Sequence, residues 1–231
     1  MKEARSFRRV RRIFLAFFVV GGAVAILVAV ITNPPYYGNS AGPATSISTN
    51  AASSDLMDQV HLTSLLVASY LLPLGFIAIA WMANRRSPKL ASVGGALSVL
   101  GLVQTSLYAG QDSLYYDIAR SGGSSQIVKL IESWNSDPIM SFYSIAFGFG
   151  STIGPALLGI ALWRSRLTPS WASALLIIGR LSALSYPVFQ NDYHTATLVI
   201  FAGIVLFFIS SIPIAFALLA FPFENSQQAL V

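Results

Sequence analysis

The sequence predicts an all-α membrane protein with six transmembrane helices, and three observations support this fold class. Apolar residues make up 55% of the chain and charged residues only 10%, whereas charged residues make up about a quarter of a typical soluble protein. Several apolar runs reach the ~20 residues that a helix needs to cross the hydrocarbon core of a bilayer. A helical hairpin pattern also occurs twice along the chain. Because no polar stretch is long enough to form a second core, we expect one membrane domain, residues 13–221.

The repeated hairpin is defined by the spacing of proline, tryptophan and basic residues. Residues 73–81 and residues 155–163 each begin with proline and end with tryptophan eight positions later. Each stretch is followed by a basic turn, a second proline and an Ala-Ser pair, at residues 91–92 and residues 172–173. Residues 213–221 repeat the eight-residue spacing with phenylalanine. Because the two full copies point the same way through the membrane, the sequence predicts a parallel duplication in which helices two and three match helices four and five.

The first transmembrane helix follows a basic arm, residues 1–12, which contains six basic residues and one acid. Residues 13–31 are apolar throughout, and this run is longer than the roughly 7–15 residues of a signal-peptide core. We therefore expect a retained anchor helix. Residues 32–60 contain no basic residue and are rich in Pro, Gly, Ser, Thr and Asn, so they predict a largely irregular outer loop.

The other predicted transmembrane helices are connected by short basic turns and by outer loops. They are expected at residues 61–82, 90–110, 140–163, 170–189 and 196–221. The second long outer loop, residues 111–139, contains Ile127, Leu130, Ile131 and Trp134 at the i, i+3, i+4 and i+7 positions of an amphipathic helix. This helix is too short to span a membrane, so we expect it either in the outer interface or packed against the top of the bundle.

Glycine and proline give the fourth helix a special place in the predicted bundle. Gly150 and Gly154 form a small-xxx-small pair, which lets helix backbones approach closely in lipid, so we expect this helix at the centre. Pro155 removes one backbone donor and should kink the helix. Pro73 and Pro213 lie at matching places in helices two and six. One interpretation is that the carbonyls freed by these prolines line a midplane cavity, as in the broken helices of transporters. The other is a set of static kinks, which also occur in proteins that transport nothing.

The distribution of basic residues predicts the orientation of the chain. The arm and the two short turns contain 11 of the 14 lysines and arginines, and basic residues collect on the cytoplasmic side of membranes. We therefore expect a protein of the inner membrane with both termini, including the polar tail at residues 222–231, in the cytoplasm. The net charge of +5 is in this view a topology signal and does not indicate nucleic-acid binding.

Four polar residues at the predicted outer helix ends are candidates for a metal site: Asp58, His61, Asp112 and His194. Two histidines with carboxylates form an adequate ligand set for Zn²⁺ or another divalent ion, and such a site activates water. No HExxH or related motif is present, and the chain has no cysteine. The alternative is that polar residues cluster at helix ends because they are least costly there. We therefore expect no cofactor, with a divalent metal at the outer face as the alternative.

Arg180 is the least expected residue, because it lies ~18 Å from Thr168 along the predicted fifth helix, near the middle of the membrane. A cation at that depth costs on the order of 3 kcal/mol unless it is paired or hydrated. Gln104 lies at a similar depth on the third helix, and Tyr108 lies one turn further out. One interpretation is a cavity in which Arg180, Gln104 and Tyr108 bind an anionic group of a substrate or lipid. The other is that Arg180 is held by Gln104, by a carbonyl that a proline frees, or by water.

The inner turn between helices four and five carries a family resemblance. Residues 162–171 read Leu-Trp-Arg-Ser-Arg-Leu-Thr-Pro-Ser-Trp. Together with the basic arm and the long outer loop, this motif resembles bacterial six-helix integral membrane proteins that have no assigned activity. The resemblance covers most of the chain after residue 56 and implies a fold but no activity. The membrane hydrolases related to alkaline ceramidase use three histidines, an aspartate and a serine around zinc, and the two histidines of this chain cannot complete that set.

The sequence therefore predicts a multi-pass membrane protein that binds or passes a small amphiphilic or anionic molecule. Its expected partners are the lipid bilayer and a lipid or other amphiphile, and nucleic acid is not among them. Two alternatives remain open at this point. One is an outward-facing metal-dependent enzyme that uses the four polar residues at the outer helix ends, and the other is a structural or partner subunit of a membrane complex.

Overall fold

The structure is a computed structural model that describes residues 2–33, 42–122, 124–189 and 192–221. Its secondary structure over these residues is helical throughout. In chain order the helices are α1 Lys2–Ile31, α2 Pro43–Ala52, α3 Asp55–Asn84, α4 Pro88–Leu102, α5 Thr105–Ser121, α6 Ser125–Asn135, α7 Pro138–Ser165, α8 Ser170–Leu181, α9 Ser185–Val188 and α10 Tyr193–Ala220, with a 3-10 turn at Ser182–Leu184 between α8 and α9. The predicted all-α fold class is confirmed.

Five segments of the described chain are long and apolar enough to cross a membrane. They are Arg9–Ile31, Asp55–Asn84, Pro88–Ser121, Pro138–Ser165 and Tyr193–Ala220. The predicted fifth helix, residues 170–189, is not one of them, because its apolar helical part, Ser170–Leu184, is shorter and is interrupted by the 3-10 turn. The sixth crossing therefore stays a prediction.

The long helices and α8 pack side by side in a closed ring. Helix α1 packs against α3 and α10, α4 packs against α3 and α7, and α8 packs against α7 and α10. Glycines allow the closest approaches: an added Cβ on Gly101 would lie 2.5 Å from the backbone of Gly150, and one on Gly154 would lie 2.9 Å from the Gly94 carbonyl oxygen. The close helix approach expected at Gly150 and Gly154 is thus confirmed, and α4 is the helix that makes it.

Large apolar side chains fill the middle of this ring. The rings of Phe76 on α3 and Phe207 on α10 stack with their centroids 5.6 Å apart, and both side chains are almost fully buried. Leu158, Leu176 and Ile214 belong to the same buried cluster and are inaccessible to solvent. The described centre of the bundle is therefore a packed core.

Hydrogen bonds show which helix ends lie together. Arg12 of α1 donates to the carbonyl of Leu219 near the end of α10, at 3.1 Å. Arg86, in the turn after α3, donates to the carbonyl of Ser165 at the end of α7, at 2.8 Å. The start of α1, both basic turns and the end of α10 therefore lie at one end of the bundle, which we call the basic end.

Two predicted outer loops contain more helix than the sequence indicated. Residues 32–60 were expected to be largely irregular. In the described part of this segment that expectation is wrong, because α2 and the start of α3 lie within it. Residues 34–41 lie outside the described residues. Helix α5 likewise continues past residue 111 to Ser121, where Gly122 adopts a left-handed conformation and ends it. The predicted amphipathic helix is confirmed as α6. Its Ile131 is buried against Tyr115 and Ile118, which supports packing on the bundle.

The second helix of each hairpin copy is interrupted. Helix α4 ends 11 residues after Ala91, and α5 begins after Val103 and Gln104. Helix α8 ends 9 residues after Ala172, and the 3-10 turn follows it. The two breaks therefore occur at nearly the same distance from the Ala-Ser pair of each copy.

Candidate functional site

His61 of α3 connects three helices at the end of the bundle opposite the basic end. Its side chain is buried, and its Nδ1 lies 2.7 Å from the carbonyl oxygen of Ala29 on α1. Its Nε2 lies 3.1 Å from Oδ2 of Asp112 on α5. Ala29 is in the last turn of α1, where carbonyls have no partner within their own helix. The predicted convergence of His61 and Asp112 is therefore present in the structure.

Asp58, one turn before His61, is engaged by a different set of partners. Its side chain is 1% exposed. Its Oδ1 accepts a hydrogen bond from the Ser53 hydroxyl at 2.6 Å, and its Oδ2 accepts one from Arg120 at 3.0 Å. Arg120 also lies 2.9 Å from a carboxylate oxygen of Asp55 and donates to the Ser53 carbonyl. Asp58 is thus neutralised by Arg120, a residue that the sequence placed in a loop.

His194 lies apart from these contacts, in the exposed first turn of α10. Asp192 caps that helix, because its carboxylate accepts hydrogen bonds from the Thr195 backbone N–H, at 3.0 Å, and from the Thr195 hydroxyl. These bonds lower the pKa of Asp192 below its ordinary value, and the charge of His194 acts in the same direction. Within the described ranges, no three or more His, Asp or Glu side chains are arranged to hold a metal ion.

A narrow polar cleft surrounds His61 where α1, α2, α3 and α5 meet. Its lining consists of polar and aromatic side chains with one leucine: Asn33, Asn50, Asp58, His61, Leu62, Asp112 and Tyr116. Both asparagines, Tyr116 and the neighbouring Arg120 are not among the site residues predicted from the sequence. Arg120 could have been found only with α5 extended as a helix, because its spacing of eight residues from Asp112 then places both on one face.

Arg180 donates to a backbone carbonyl that a proline has freed. Its Nε lies 3.0 Å from the carbonyl oxygen of Ser151 on α7, and its Nη2 donates to the same oxygen. Ser151 is four residues before Pro155, and proline has no N–H to complete the helical bond. The guanidinium also lies 5.5 Å from the ring centroid of Phe207. Of the partners weighed for Arg180, the freed carbonyl is the one the structure presents, and a ligand role stays a prediction.

Tyr108 contacts α7, and no described hydrogen bond joins Gln104 or Tyr108 to Arg180. Gln104 sits at the break between α4 and α5, where its Nε2 donates to the carbonyl of Leu100 at 3.1 Å. Its Oε1 is buried and has no partner among the described residues. The Tyr108 hydroxyl donates to Ser144 at 3.3 Å, and its ring lies 4.6 Å from that of Phe147.

A groove of about 580 Å³ runs between α3 and α4 toward the basic end. It exists because small side chains on α4 leave space beside larger ones on α3. The lining residues are Ile77, Ala80, Trp81, Asn84, Ala91, Ser92, Gly95, Ala96, Val99 and Leu100. Its walls are apolar except toward the basic end, where the Ser92 hydroxyl lies 3.5 Å from Oδ1 of Asn84. The sequence pattern did not predict this groove.

Comparison of the chain with protein-family models, with curated proteins and with solved structures found no match. The resemblance noted at residues 162–171 therefore stays a prediction. What the fold defines is a class: an all-helical protein whose apolar helices are compatible with a multi-pass membrane protein.

Proposed function

We propose that this chain is a six-crossing membrane protein that binds an anionic glycerophospholipid of the cytoplasmic leaflet. The lipid places one acyl chain in the groove between α3 and α4, and its headgroup lies at the basic end. The observation that carries the proposal is the groove itself, an apolar space of about 580 Å³ on the bundle surface. A bilayer supplies lipid tails directly to such a surface.

The number of crossings is supported by the positions of the chain ends. Arg12 and Leu219 are joined by a hydrogen bond at the basic end, and an even number of crossings is needed to return the chain to the same end. Helix α8 leaves the basic end beside α7, and α9 lies beside the start of α10, where Ser185 donates to the Ala196 carbonyl at 3.1 Å. Together α8, the 3-10 turn and α9 make the sixth crossing, as an interrupted helix.

The internal duplication is supported by the two helix breaks. One break follows α4 and the other follows α8, and each helix is the second member of its hairpin copy. Interrupted helices at corresponding positions of two repeats are typical of membrane proteins that bind small molecules near the bilayer midplane. The breaks thus favour a ligand-binding protein over a purely structural subunit.

The length of the groove fits one leaflet of a bilayer. On α3 its lining extends from Ile77 to Asn84 and on α4 from Ala91 to Leu100, which is ~10 Å and ~14 Å at the helical rise of ~1.5 Å per residue. Half of a ~30 Å hydrocarbon core is ~15 Å. The groove is therefore about as long as one leaflet is thick, and an acyl chain that enters at the basic end would fill it without crossing the midplane.

The charge at the mouth of the groove favours an anionic headgroup. Arg85, Arg86 and Lys89 lie in or beside the turn that joins α3 to α4, and all three are exposed. Basic residues beside a membrane attract anionic lipid with ~1 kcal/mol each. Asn84 and Ser92 add hydrogen-bonding groups at the level where the glycerol backbone would lie.

Lipid retention by groove variants tests the proposal. Ala96 is exposed and lines the groove, so Ala96→Phe fills the groove without disturbing the core. Val93, which is 54% exposed on the same helix and does not line the groove, provides the matched control Val93→Phe. We expect native mass spectrometry in mild detergent to detect phosphatidylglycerol bound to the wild type and to Val93→Phe. We expect at least roughly tenfold less on Ala96→Phe, a loss of ~1.4 kcal/mol.

A second substitution tests the headgroup separately. Lys89→Gln should leave the bound acyl chain in place and reduce the preference for phosphatidylglycerol over phosphatidylcholine. Equal lipid retention by wild type and Ala96→Phe would exclude the groove as the binding site. If Lys89→Gln retains lipid with the same preference for phosphatidylglycerol over phosphatidylcholine as the wild type, the headgroup assignment is excluded, but the groove is not.

A further inference from the structure

We infer that His61 and Asp112 form a proton-binding site that joins α5 to α3. The Ala29 carbonyl oxygen lies 2.7 Å from Nδ1, and a carbonyl can only accept a hydrogen bond. Nδ1 must therefore carry a hydrogen atom.

The contact of Nε2 then requires a second proton. In a neutral imidazole with its hydrogen on Nδ1, Nε2 presents a lone pair. Nε2 faces the Asp112 Oδ2 at 3.1 Å, and an ionised carboxylate also presents only lone pairs. The contact is a hydrogen bond only if one proton lies between the two atoms, either on Nε2 as an imidazolium or on the carboxyl group. The pair therefore binds one proton in the conformation described.

The neighbouring titratable groups have other partners or are exposed, so none of them is described as sharing the proton between His61 and Asp112. Asp58, the nearest other acid on α3, has Oδ2 bound to Arg120 and Oδ1 bound to Ser53. Arg120 is shared between Asp58 and the exposed Asp55, and no described hydrogen bond joins these groups to His61. The lining side chains from α1 and α2 are the uncharged Asn33 and Asn50. The remaining titratable or charged groups on the facing stretches of α3 and α5 are Asp55, which pairs with Arg120, the phenols of Tyr115 and Tyr116, and the exposed Asp117.

Loss of the proton would weaken the attachment of α5. The Nε2 lone pair would then face a carboxylate at hydrogen-bond distance, and the buried ring cannot turn without losing its bond to Ala29. Separation of α5 from α3 relieves the repulsion. A turn at Val103 and Gln104 separates α5 from α4, so a bend at this turn would move α5 away from α3 while α4 stays packed against α7. The Asp58–Arg120 ion pair, farther along α5, is the second contact that resists this movement.

The first experiment reads the protons directly. The chain has two histidines, so ¹⁵N-histidine labelling with His194→Asn leaves the two ring-nitrogen signals of one imidazole, that of His61. NMR in detergent micelles between about pH 5 and pH 9, the range that brackets histidine titration, reports the proton on each ring nitrogen. We expect Nδ1 to remain protonated at every pH and the Nε2 signal to change as the shared proton is lost. A hydrogen on Nε2 with none on Nδ1 would overturn the inference.

The second experiment measures the attachment of α5 by hydrogen exchange at Thr105–Ser121, corrected for the intrinsic rate. Asp112→Asn replaces the carboxylate with an amide whose N–H can donate to Nε2, so the bond no longer depends on a titrating proton. Asp112→Ala removes the bond. We expect wild-type protection of α5 to fall roughly tenfold or more as the pH rises, the factor for a hydrogen bond to a charged group. Asp112→Asn should stay protected at every pH, and Asp112→Ala should be weakly protected at every pH.

A matched control separates this effect from general charge. Asp117 is exposed on the same helix, so Asp117→Asn should keep the wild-type pH profile. The same pH profile in wild type and Asp112→Asn, or full protection in Asp112→Ala, would overturn the inference. All three variants change a partly or fully exposed side chain and leave the buried His61 in place.

Discussion

Replacement of Arg180 by methionine tests whether its guanidinium satisfies the carbonyl of Ser151. Methionine keeps an apolar chain beside Phe207 but donates no hydrogen bond. In the wild type the substitution leaves a buried carbonyl without a donor, because Pro155 has no N–H. Such an unpaired acceptor costs about 1–3 kcal/mol. In a Pro155→Ala background the backbone N–H of residue 155 supplies the donor, so we expect Arg180→Met to be about 1–3 kcal/mol less destabilising there.

The difference between the two backgrounds is more informative than either effect alone. Removal of a cation from apolar surroundings gains about 2.5–3.5 kcal/mol, and loss of the contact with the Phe207 ring costs about 0.5–2 kcal/mol. Both contributions are present in the wild type and in Pro155→Ala, so they cancel in a double-mutant cycle. What remains is the coupling between the missing N–H of Pro155 and the guanidinium of Arg180.

Unfolding titrations in mixed micelles with increasing SDS, followed by circular dichroism, give the four free energies of unfolding. Pro73 provides a matched control, because it also lies inside a long helix and no described hydrogen bond of Arg180 involves its freed carbonyl. The cycle of Pro73→Ala with Arg180→Met should give a coupling within about 0.5 kcal/mol of zero. Equal couplings in the Pro155 and Pro73 cycles would refute the assignment of Arg180 to the Ser151 carbonyl.

Two further predictions concern helix packing and pH. Gly101→Ala should destabilise the protein by about 1–3 kcal/mol in the same SDS titration, because the new Cβ would meet the Gly150 backbone at 2.5 Å. Gly148→Ala, whose Cβ has open space, should be neutral or slightly stabilising. Protection of the first turn of α10 from hydrogen exchange, corrected for the intrinsic rate, should be greatest above about pH 4, the ordinary pKa of aspartate. Protection should fall as the pH drops through the lowered pKa of Asp192, and Asp192→Asn should remove this dependence.

The long apolar helices were predictable because their composition alone determines them. A run such as residues 13–31 contains no charge, and helices and closed barrels are the structures that satisfy every backbone group in lipid. Helix α6 was predictable for a related reason, since its apolar side chains recur with helical spacing. These helices are determined by local sequence pattern, so the observed helices differ from the predicted ones mainly in where they begin and end.

The polar helix α5 was not predictable in the same way. Its second half, from Gln111 to Ser121, is polar and resembles a loop in composition. It is helical because tertiary contacts hold it: Asp112 bonds to His61, and Arg120 bonds to Asp58. His61 and Asp112 could be named as neighbours from helix ends alone. Arg120 could not, because its place on their face depends on a helix that the local sequence does not specify.

The contact between Arg180 and the Ser151 carbonyl could not be predicted for a similar reason. The sequence indicates that Pro155 leaves the Ser151 carbonyl without a donor and that Arg180 needs an acceptor. It does not indicate that the two meet, because that depends on how α8 packs against α7. The groove between α3 and α4 could not be predicted for the same reason, because small residues such as Ser92 and Ala96 reveal a space only when the facing helix is known.

The two helix breaks differ in how their polar groups are satisfied, and this difference suggests which one moves. Near the break after α8, Arg180 donates two hydrogen bonds to the Ser151 carbonyl and so ties α8 to α7. Arg180 lies eight residues after Ala172 of its Ala-Ser pair. The residue eight positions after Ala91, in the Ala-Ser pair of α4, is Val99, whose side chain can form no such bond. Near that first break the Gln104 Oε1 is buried without a described partner. We therefore expect the first break to be the flexible one, so that the position of α5 depends on its side-chain contacts, which include His61–Asp112 and Asp58–Arg120.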